Sequence, residues 1–187
     1  MKNQSKLQKR KDLIKKRINL DKLNVSKNSA SILQKLDNLE AFQESKNVLF
    51  YIPIKNEVDT LPIIKKYLEK KNIYLPKSLN SNTISINLMK SFEDLNEGKY
   101  GIPEPSDRSE KITAKKLDLI IVPGVGFDIH GFRIGFGKGY YDRLLKMVTC
   151  PKIALSYDLQ IQDKLPIEPH DEKVDIIITE NQIINIK

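Results

Sequence analysis

Cysteine is nearly absent from this chain. Cys150 stands alone, which excludes an internal disulfide and a cysteine-based zinc cluster, and a reducing cytoplasm is the expected setting. No apolar run approaches the roughly 20 residues that a membrane-spanning helix requires. The N-terminal stretch MKNQSKLQKRKDL carries charge with no apolar segment behind it, so a secretory signal is not expected. The two histidines, His130 and His170, are too far apart in sequence to imply a metal pair. Internal repeats and long linkers are lacking as well. The 187 residues, 40% apolar and 30% charged, therefore suit one globular domain over 1–187 with a sizeable core.

Charge, by contrast, is plentiful and unevenly placed. Ten Lys/Arg face two Asp between Met1 and Asn28, while the remaining chain holds 22 charges of each sign. The net charge of +8 is thus a property of the first helix, not of the whole surface. Nucleic acid, a membrane surface or a multiply charged small molecule would each be attracted there. A solvated helix face is the bland alternative.

Apolar spacing predicts alternating helices and strands. A helix is expected from Ser5 to Leu20, with Leu7, Leu13, Ile14 and Leu20 as its stripe, and a second capped by Asn28 or Ser29 with Ile32, Leu33, Leu36, Leu39 and Phe42 inward. Asn47 to Ile52 reads as a buried strand closed by Pro53. Thr60 caps a helix with Pro62 in its first turn and Leu61, Ile64 and Leu68 inward. Weak strands are expected at Ile73 to Leu75 and Thr83 to Leu88, and an irregular segment from Gly98 to Ser106. Leu117 to Val122 is the strongest strand; Tyr140 to Met147 reads as a helix, and Lys152 to Tyr157 and Val174 to Thr179 as strands. This alternation implies an α/β fold with a mostly parallel central sheet flanked by helices on both faces. The loop after Val122 then lies at the carboxyl end of a central strand, where such sheets bind ligands.

That loop opens PGVGFDIHGFRIGFGKGYYDR, residues 123–143, which holds six of the eight glycines. Gly135, Gly137 and Gly139 allow positive φ and close approach, so successive N–H groups can converge on an anion. Lys138 and Arg133 add cations, and the helix opening at Tyr140 adds its positive end. A di- or triphosphate suits this set. Walker A and GxGxxG patterns both fail, because Phe132, Gly139 and Tyr140 stand where those motifs need other residues. Asp142, close to the anion site, is explained either by a Mg²⁺ between them or as a first-turn helix residue. Asp171 in EPHDEKVD is a second metal candidate, while Asp118, Asp128 and Asp175 carry no spacing argument.

The string IIVPGVGFDIHGFRIGFGKGYYDR closely resembles the signature of the 5-formyltetrahydrofolate cyclo-ligases, also called 5,10-methenyltetrahydrofolate synthetases. KLQKRKDLIKKR, YIPIKNEVDT, GIPEP and PHDEKVDIIIT agree in order and extend the resemblance across nearly the whole chain. It implies a fold similar to ribose-phosphate isomerases and CoA transferases, with ATP as co-substrate and Mg²⁺ as cofactor. It implies ATP-dependent ring closure of 5-formyltetrahydrofolate to 5,10-methenyltetrahydrofolate, with ADP and phosphate released after phosphorylation of the formyl oxygen. Lys6 and Arg10 match the family's N-terminal basic pair at the ATP phosphates, with Lys9 as the alternative to Lys6. Gly135, Phe136, Gly137, Lys138, Gly139, Tyr140 and Tyr141 match its phosphate loop, with Arg133 and Lys138 as the cations that serve catalysis. Asp142 and Asp171 match the magnesium-associated aspartates, and Ile52 and Glu57 the folate contacts. The implied enzyme acts in cytoplasmic one-carbon metabolism, as a monomer or alternatively a dimer, on folate and ATP and on neither nucleic acid nor membrane. Two rivals make different demands. A nucleic-acid-binding module would use the basic helix, which lacks interleaved aromatics. A phosphosugar isomerase or CoA transferase would need an acid/base or glutamate nucleophile at the sheet's ligand edge.

Overall fold

The computed structural model describes residues 5–79, 83–98 and 101–187, so Lys2 of the basic cluster and residues 99–100 of the Gly98 to Ser106 segment lie outside the described residues. Three helices come first: α1 (Lys6–Ile18), α2 (Lys22–Asp37) and α3 (Glu40–Glu44). They are followed by β1 (Asn47–Leu49), α4 (Leu61–Tyr67), β2 (Asn72–Ser78), β3 (Ile84–Leu88), β4 (Leu95–Glu97), β5 (Pro103–Pro105) and β6 (Lys111–Ile112). Next come β7 (Leu119–Val122), β8 (Gly126–Asp128), β9 (Arg133–Ile134) and α5 (Tyr140–Leu145). The chain closes with β10 (Lys152–Leu155), β11 (Ile161–Gln162), β12 (Ile176–Ile178) and β13 (Ile183–Asn185).

Eight strands form the main sheet in the order β13-β12-β10-β7-β1-β2-β3-β6. The five from β12 to β2 are parallel, and β13, β3 and β6 add antiparallel margins. Strand period 2 distributes their side chains to two cores. Val48, Ile73, Leu119, Ile121 and Ile153 pack with Ile32, Leu36, Phe42 and Ile64 of α2, α3 and α4. Leu49, Tyr74, Ile120, Val122 and Ala154 pack with Leu144 and Leu145 of α5 on the opposite face. The expected α/β class, with a mostly parallel sheet and helices on both faces, is what the chain forms. β1 leads to β2 on one side, whereas β7 lies on its other side. The carboxyl ends of β1 and β7 therefore flank a topological switch point, the crevice where open parallel sheets hold ligands.

Several local expectations need correction. α2 starts a full two turns earlier than expected, capped by Asp21, whose side chain accepts from Asn24 N at 2.8 Å. Asn28 and Ser29 are interior to it, and the Ser29 hydroxyl lies 3.2 Å from the Tyr157 hydroxyl. A polar residue inside a helix mimics a cap when its real partner is distant in sequence. On α1 Leu7 is 56% exposed, and the inward face carries Leu13 and Arg17 instead. On α4 it is Ile63, Ile64 and Tyr67 that are buried, while Leu61 is exposed. The Thr60 hydroxyl makes no cap bond; it donates to Tyr51 O at 2.7 Å. β2 runs through Pro76, beyond the Tyr74 position where pairing with β1 stops, so the missing N–H falls on an unpaired edge. Likewise Pro103–Pro105 is a strand after all, paired with β4 in a two-stranded ribbon whose outer edges tolerate proline.

A small second sheet, β11-β8-β9, shapes the glycine-rich stretch. Asp128 closes its hairpin, accepting from His130 N and Phe132 N at 3.0 Å each and, through its other oxygen, from Leu165 N at 3.0 Å. Asp118 and Asp175 likewise accept backbone N–H groups at strand starts, Asn47 N and Lys152 N, both at 2.8 Å. All three are structural acceptors. α1 docks here: Leu13 packs with Val125, Ile134 and Leu165. A Cβ on Gly126 would stand 2.4 Å from Leu13 Cδ1, so glycine is what lets the helix approach.

Candidate active site

At the switch point the chain encloses a cavity of about 890 Å³. Its lining comes from α1, from the segments after β1 and β7, from β2 and β5, and from residues 133–143 and 168–171. The site residues matched through the family resemblance line it: Lys6, Arg10, Ile52, Glu57, Arg133, Gly135 through Asp142, and Asp171. Lys9 is not among the lining residues, which separates it from Lys6. Positions 6, 10, 13 and 17 follow helical steps of four, three and four, so one face of α1 delivers Lys6 and Arg10 to the cavity and Leu13 and Arg17 beneath it. Three of the basic side chains, Lys6, Arg10 and Arg17, are thus directed inward, while Lys11, Lys15, Lys16, Lys22 and Lys27 remain exposed.

The glycine loop is a cationic turn. Gly137 and Gly139 adopt φ of 98° and 65°, left-handed values that a side chain would strain. Arg10 Nε donates to Gly135 O at 2.7 Å, pinning α1 to the loop. A Cβ on Gly137 would lie 3.4 Å from the Arg10 guanidinium, so backbone and cation share a narrow space. Lys138 is exposed at the tip, whereas Arg133 is 5% exposed and pairs with Asp142 Oδ1 at 2.8 Å. Burial opposes the Arg133 charge and lowers its pKa, with Asp142 acting against that trend. Arg133 Nε and the Tyr141 hydroxyl are buried with no hydrogen-bond partner among the described residues. α5 has six residues, too short a helix for a strong macrodipole, so the cations and the loop backbone carry the attraction.

Asp171 also lines the cavity, paired with Lys6. The Lys6 ammonium donates to both Asp171 oxygens, at 2.6 and 2.8 Å, and to Glu168 at 2.9 Å. Burial works against that charge, but the hydrogen bonds outweigh it and the Lys6 pKa is raised. Ligating atoms of Glu168, His170 and Asp171 lie within 4.8 Å of one another. Two carboxylates in this trio match the oxygen preference of magnesium, so the donor set fits a hard divalent cation. Sequence reading missed Glu168 and His170, although both stand within three residues of Asp171 in EPHDEKVD.

A different surface completes the cavity. Leu75 and Pro76 of β2, Ile84 of β3, and Ile102 and Pro103 contribute apolar lining beside Tyr51 and Ile52. Glu104, 8% exposed, accepts from Ser78 N at 3.2 Å and ties β5 to β2. Among this largely apolar group lies Glu57, 6% exposed, with Oε2 accepting from Ile54 N at 3.1 Å. Its Oε1 lies 3.5 Å from Arg17 Nη1 and has no hydrogen-bond partner among the described residues. Burial pushes the Glu57 carboxyl up to about 7, with the Arg17 charge and the Ile54 N–H opposing the rise. Arg17 and Glu104 were also missed from the sequence. The 6-10-13-17 stripe was the available signal for Arg17; nothing local marks Glu104.

The fold and this cavity define an α/β protein of the class that binds ligands at the carboxyl edge of a parallel sheet. More particularly, the chain belongs to the 5-formyltetrahydrofolate cyclo-ligase family, whose sequence model matches residues 2–180. Mouse 5-formyltetrahydrofolate cyclo-ligase is 33% identical over 167 residues, spanning 82% of this chain and 82% of its own length. The NMR structure of Aquifex aeolicus 5,10-methenyltetrahydrofolate synthetase aligns with a TM-score of 0.90 at 40% identity, covering 97% of this chain and 93% of that one. The Mycoplasma pneumoniae 5,10-methenyltetrahydrofolate synthetase structure aligns with a TM-score of 0.79 at 28% identity, over 95% and 99% of the two chains.

Proposed function

We propose that this chain, as one catalytic domain over 1–187, closes 5-formyltetrahydrofolate to 5,10-methenyltetrahydrofolate at the expense of ATP. One observation carries the reading. A single cavity joins a cationic glycine loop to an apolar pocket holding a buried carboxylate with an unpartnered oxygen. The first half suits a triphosphate and the second a pterin, whose ring is flat and apolar in the middle and bears N–H donors at one edge. Family membership supports the assignment of both.

The formyl oxygen attacks the γ-phosphorus of ATP, the bond from that phosphorus to the bridging oxygen breaks, and ADP leaves. N10 then attacks the formyl carbon of the resulting N5-iminium phosphate, the carbon–oxygen bond breaks, phosphate departs and the N10 proton passes to water. Neither step needs a protein nucleophile. Phosphoryl transfer asks for alignment and charge neutralisation, which Lys138, Arg133 and Arg10 supply around the loop. Gly135 through Tyr141 enclose the phosphates, and Lys6 closes over them from α1. Ile52 packs against the pterin face while Glu57 accepts from its N–H groups in a charge-assisted pairing. Asp142 and Asp171, with Glu168 beside Asp171, would hold Mg²⁺. Bound there, the ion would neutralise phosphate charge.

A glutamate at the ligand edge was the requirement of the CoA transferase rival, and Glu57 does reach it. Its second oxygen is engaged by Ile54 N and its first faces Arg17, a binding arrangement and not that of an exposed nucleophile. Cys150 is buried and burial pushes its thiol up to about 11, which keeps it unreactive and suits a cytoplasmic protein. Purified protein mixed with 5-formyltetrahydrofolate, ATP and Mg²⁺ should develop the near-ultraviolet absorption of the methenyl product as ATP is consumed. Intact ATP with no such band defeats the assignment.

A further inference from the structure

Arg17 is 1% exposed, and no role has fallen to it so far. A guanidinium is rarely taken inside a protein unless its donors are matched, and here two of the three nitrogens are, while Nη2 is buried with no hydrogen-bond partner among the described residues. Its Nε donates to Lys55 O at 3.0 Å and its Nη1 to Gly124 O at 2.9 Å, while the same Nη1 faces Glu57 Oε1 at 3.5 Å. The Phe136 ring of the glycine loop lies over it, 5.6 Å from Cζ to the centroid. One side chain thus touches the loop after β1, the turn after β7 and the glycine loop.

The segment that carries Glu57 needs such an anchor. Lys55 and Asn56 both sit in the left-handed region, at φ of 49° and 56°, which costs a non-glycine residue energy wherever it occurs. The Asn56 side chain fastens this turn to the end of α1, donating to Ile18 O at 3.1 Å and Leu20 O at 3.0 Å. Arg17 fastens it one residue earlier at Lys55 O. From the far side the Tyr157 hydroxyl donates to Glu57 O at 3.2 Å. Strained backbone held at three points presents one carboxylate to the cavity.

We propose that Arg17 is a positioning residue for folate recognition, acting through Glu57: it fixes the carboxylate in place and supplies the positive charge that keeps it available as an acceptor. The inference rests on the folate role given to Glu57 above. The groups facing Glu57 are Arg17 from α1, Lys55 from its own turn, Tyr51 after β1 and Tyr141 from α5. Burial holds both tyrosines far above neutrality, so they stay uncharged. Arg17 is the stronger of the two cations acting on the carboxyl, ahead of Lys55, and the carboxyl titrates at about 7 with both present. Losing Arg17 therefore moves that titration upward.

The test is kcat/KM for 5-formyltetrahydrofolate from pH 6 to 9 at saturating ATP and Mg²⁺, which reports ionisations of the enzyme free of folate. Wild type should gain efficiency as pH rises through about 7, where Glu57 ionises. Arg17→Gln should move that midpoint up by about one to three pH units. A carboxyl half-ionised at pH 7 then becomes at most one-tenth ionised, so kcat/KM there falls at least about fivefold. KM for ATP should change less than about twofold, since Arg17 meets the glycine loop through the Phe136 ring and not through the loop's cations or backbone N–H groups. Arg17→Lys should restore the midpoint without restoring full efficiency, because an ammonium lacks the fork that binds two carbonyls. A wild-type midpoint in Arg17→Gln overturns the proposal even if activity drops. A wild-type pH limb in Glu57→Gln instead overturns the folate role of Glu57. Should Arg17→Gln not fold, Arg17→Lys decides alone, and wild-type kcat/KM for the folate across the range overturns the proposal.

Discussion

Replacing Glu57 with Gln should change how the stability of this protein depends on pH, in a direction opposite to that of most carboxylates. In the unfolded chain Glu57 titrates at its ordinary 4.5; in the fold burial raises it to about 7. A carboxyl with a raised folded-state pKa binds its proton more tightly folded than unfolded. Its cost to stability is therefore absent below the unfolded value, grows between about 4.5 and 7, and is complete above that. A shift of roughly 2.5 units at ~1.4 kcal/mol each makes the full cost ~3 kcal/mol. Between pH 5 and 7.5 the part gained is ~2 kcal/mol. Glu57→Gln removes the ionisation but leaves a buried, unpaired Arg17, a penalty that does not vary over this range because guanidinium stays charged. Urea unfolding of both proteins across pH 5 to 8 isolates the group, since Asp37 and the other carboxylates with lowered pKa are common to both. Wild type should lose ~2 kcal/mol relative to Glu57→Gln on going from pH 5 to 7.5. Two stability curves that run parallel over that interval would refute the reasoning, because a solvated carboxyl has no such dependence.

Three further outcomes follow from the site and its supports. Lys138→Ala should lower turnover at least about tenfold, a loss of ~1.4 kcal/mol of transition-state stabilisation; wild-type turnover in a folded variant removes its catalytic role. Asp142→Asn should raise the Mg²⁺ needed for half-maximal turnover by about tenfold or more, and an unchanged metal titration argues against a part in holding the ion. Gly126→Ala places a Cβ 2.4 Å from Leu13 Cδ1. It should cost about 1–3 kcal/mol in urea unfolding, and combined with Leu13→Ala the loss should fall short of the sum of the single losses by about 0.5–3 kcal/mol. Strict additivity would show that α1 does not rest on this contact.

What the sequence determined by itself was local and repetitive. The apolar period of β7, LIIV, is buried at every position, and its burial on both faces already implied a parallel interior strand. Clustered glycines and cations at 131–143 marked a candidate anion site because positive φ and available N–H groups are properties of the residues themselves. The family resemblance located Glu57 and Asp171, which spacing left as ordinary loop carboxylates. Other features depended on contacts made across long stretches of chain. Asn28 and Ser29 resembled caps until Tyr157, 128 residues beyond Ser29, was brought against the serine. Pro103 and Pro105 resembled irregular chain until β4 supplied a partner. The basic helix showed its charge in the sequence but not its direction. Only tertiary packing turned Lys6 toward Asp171, Arg10 onto the Gly135 carbonyl and Arg17 under Glu57. A charge on a helix has no intrinsic preference between solvent and an interior partner. That choice is made by desolvation against pairing, and both terms exist only once the chain has folded.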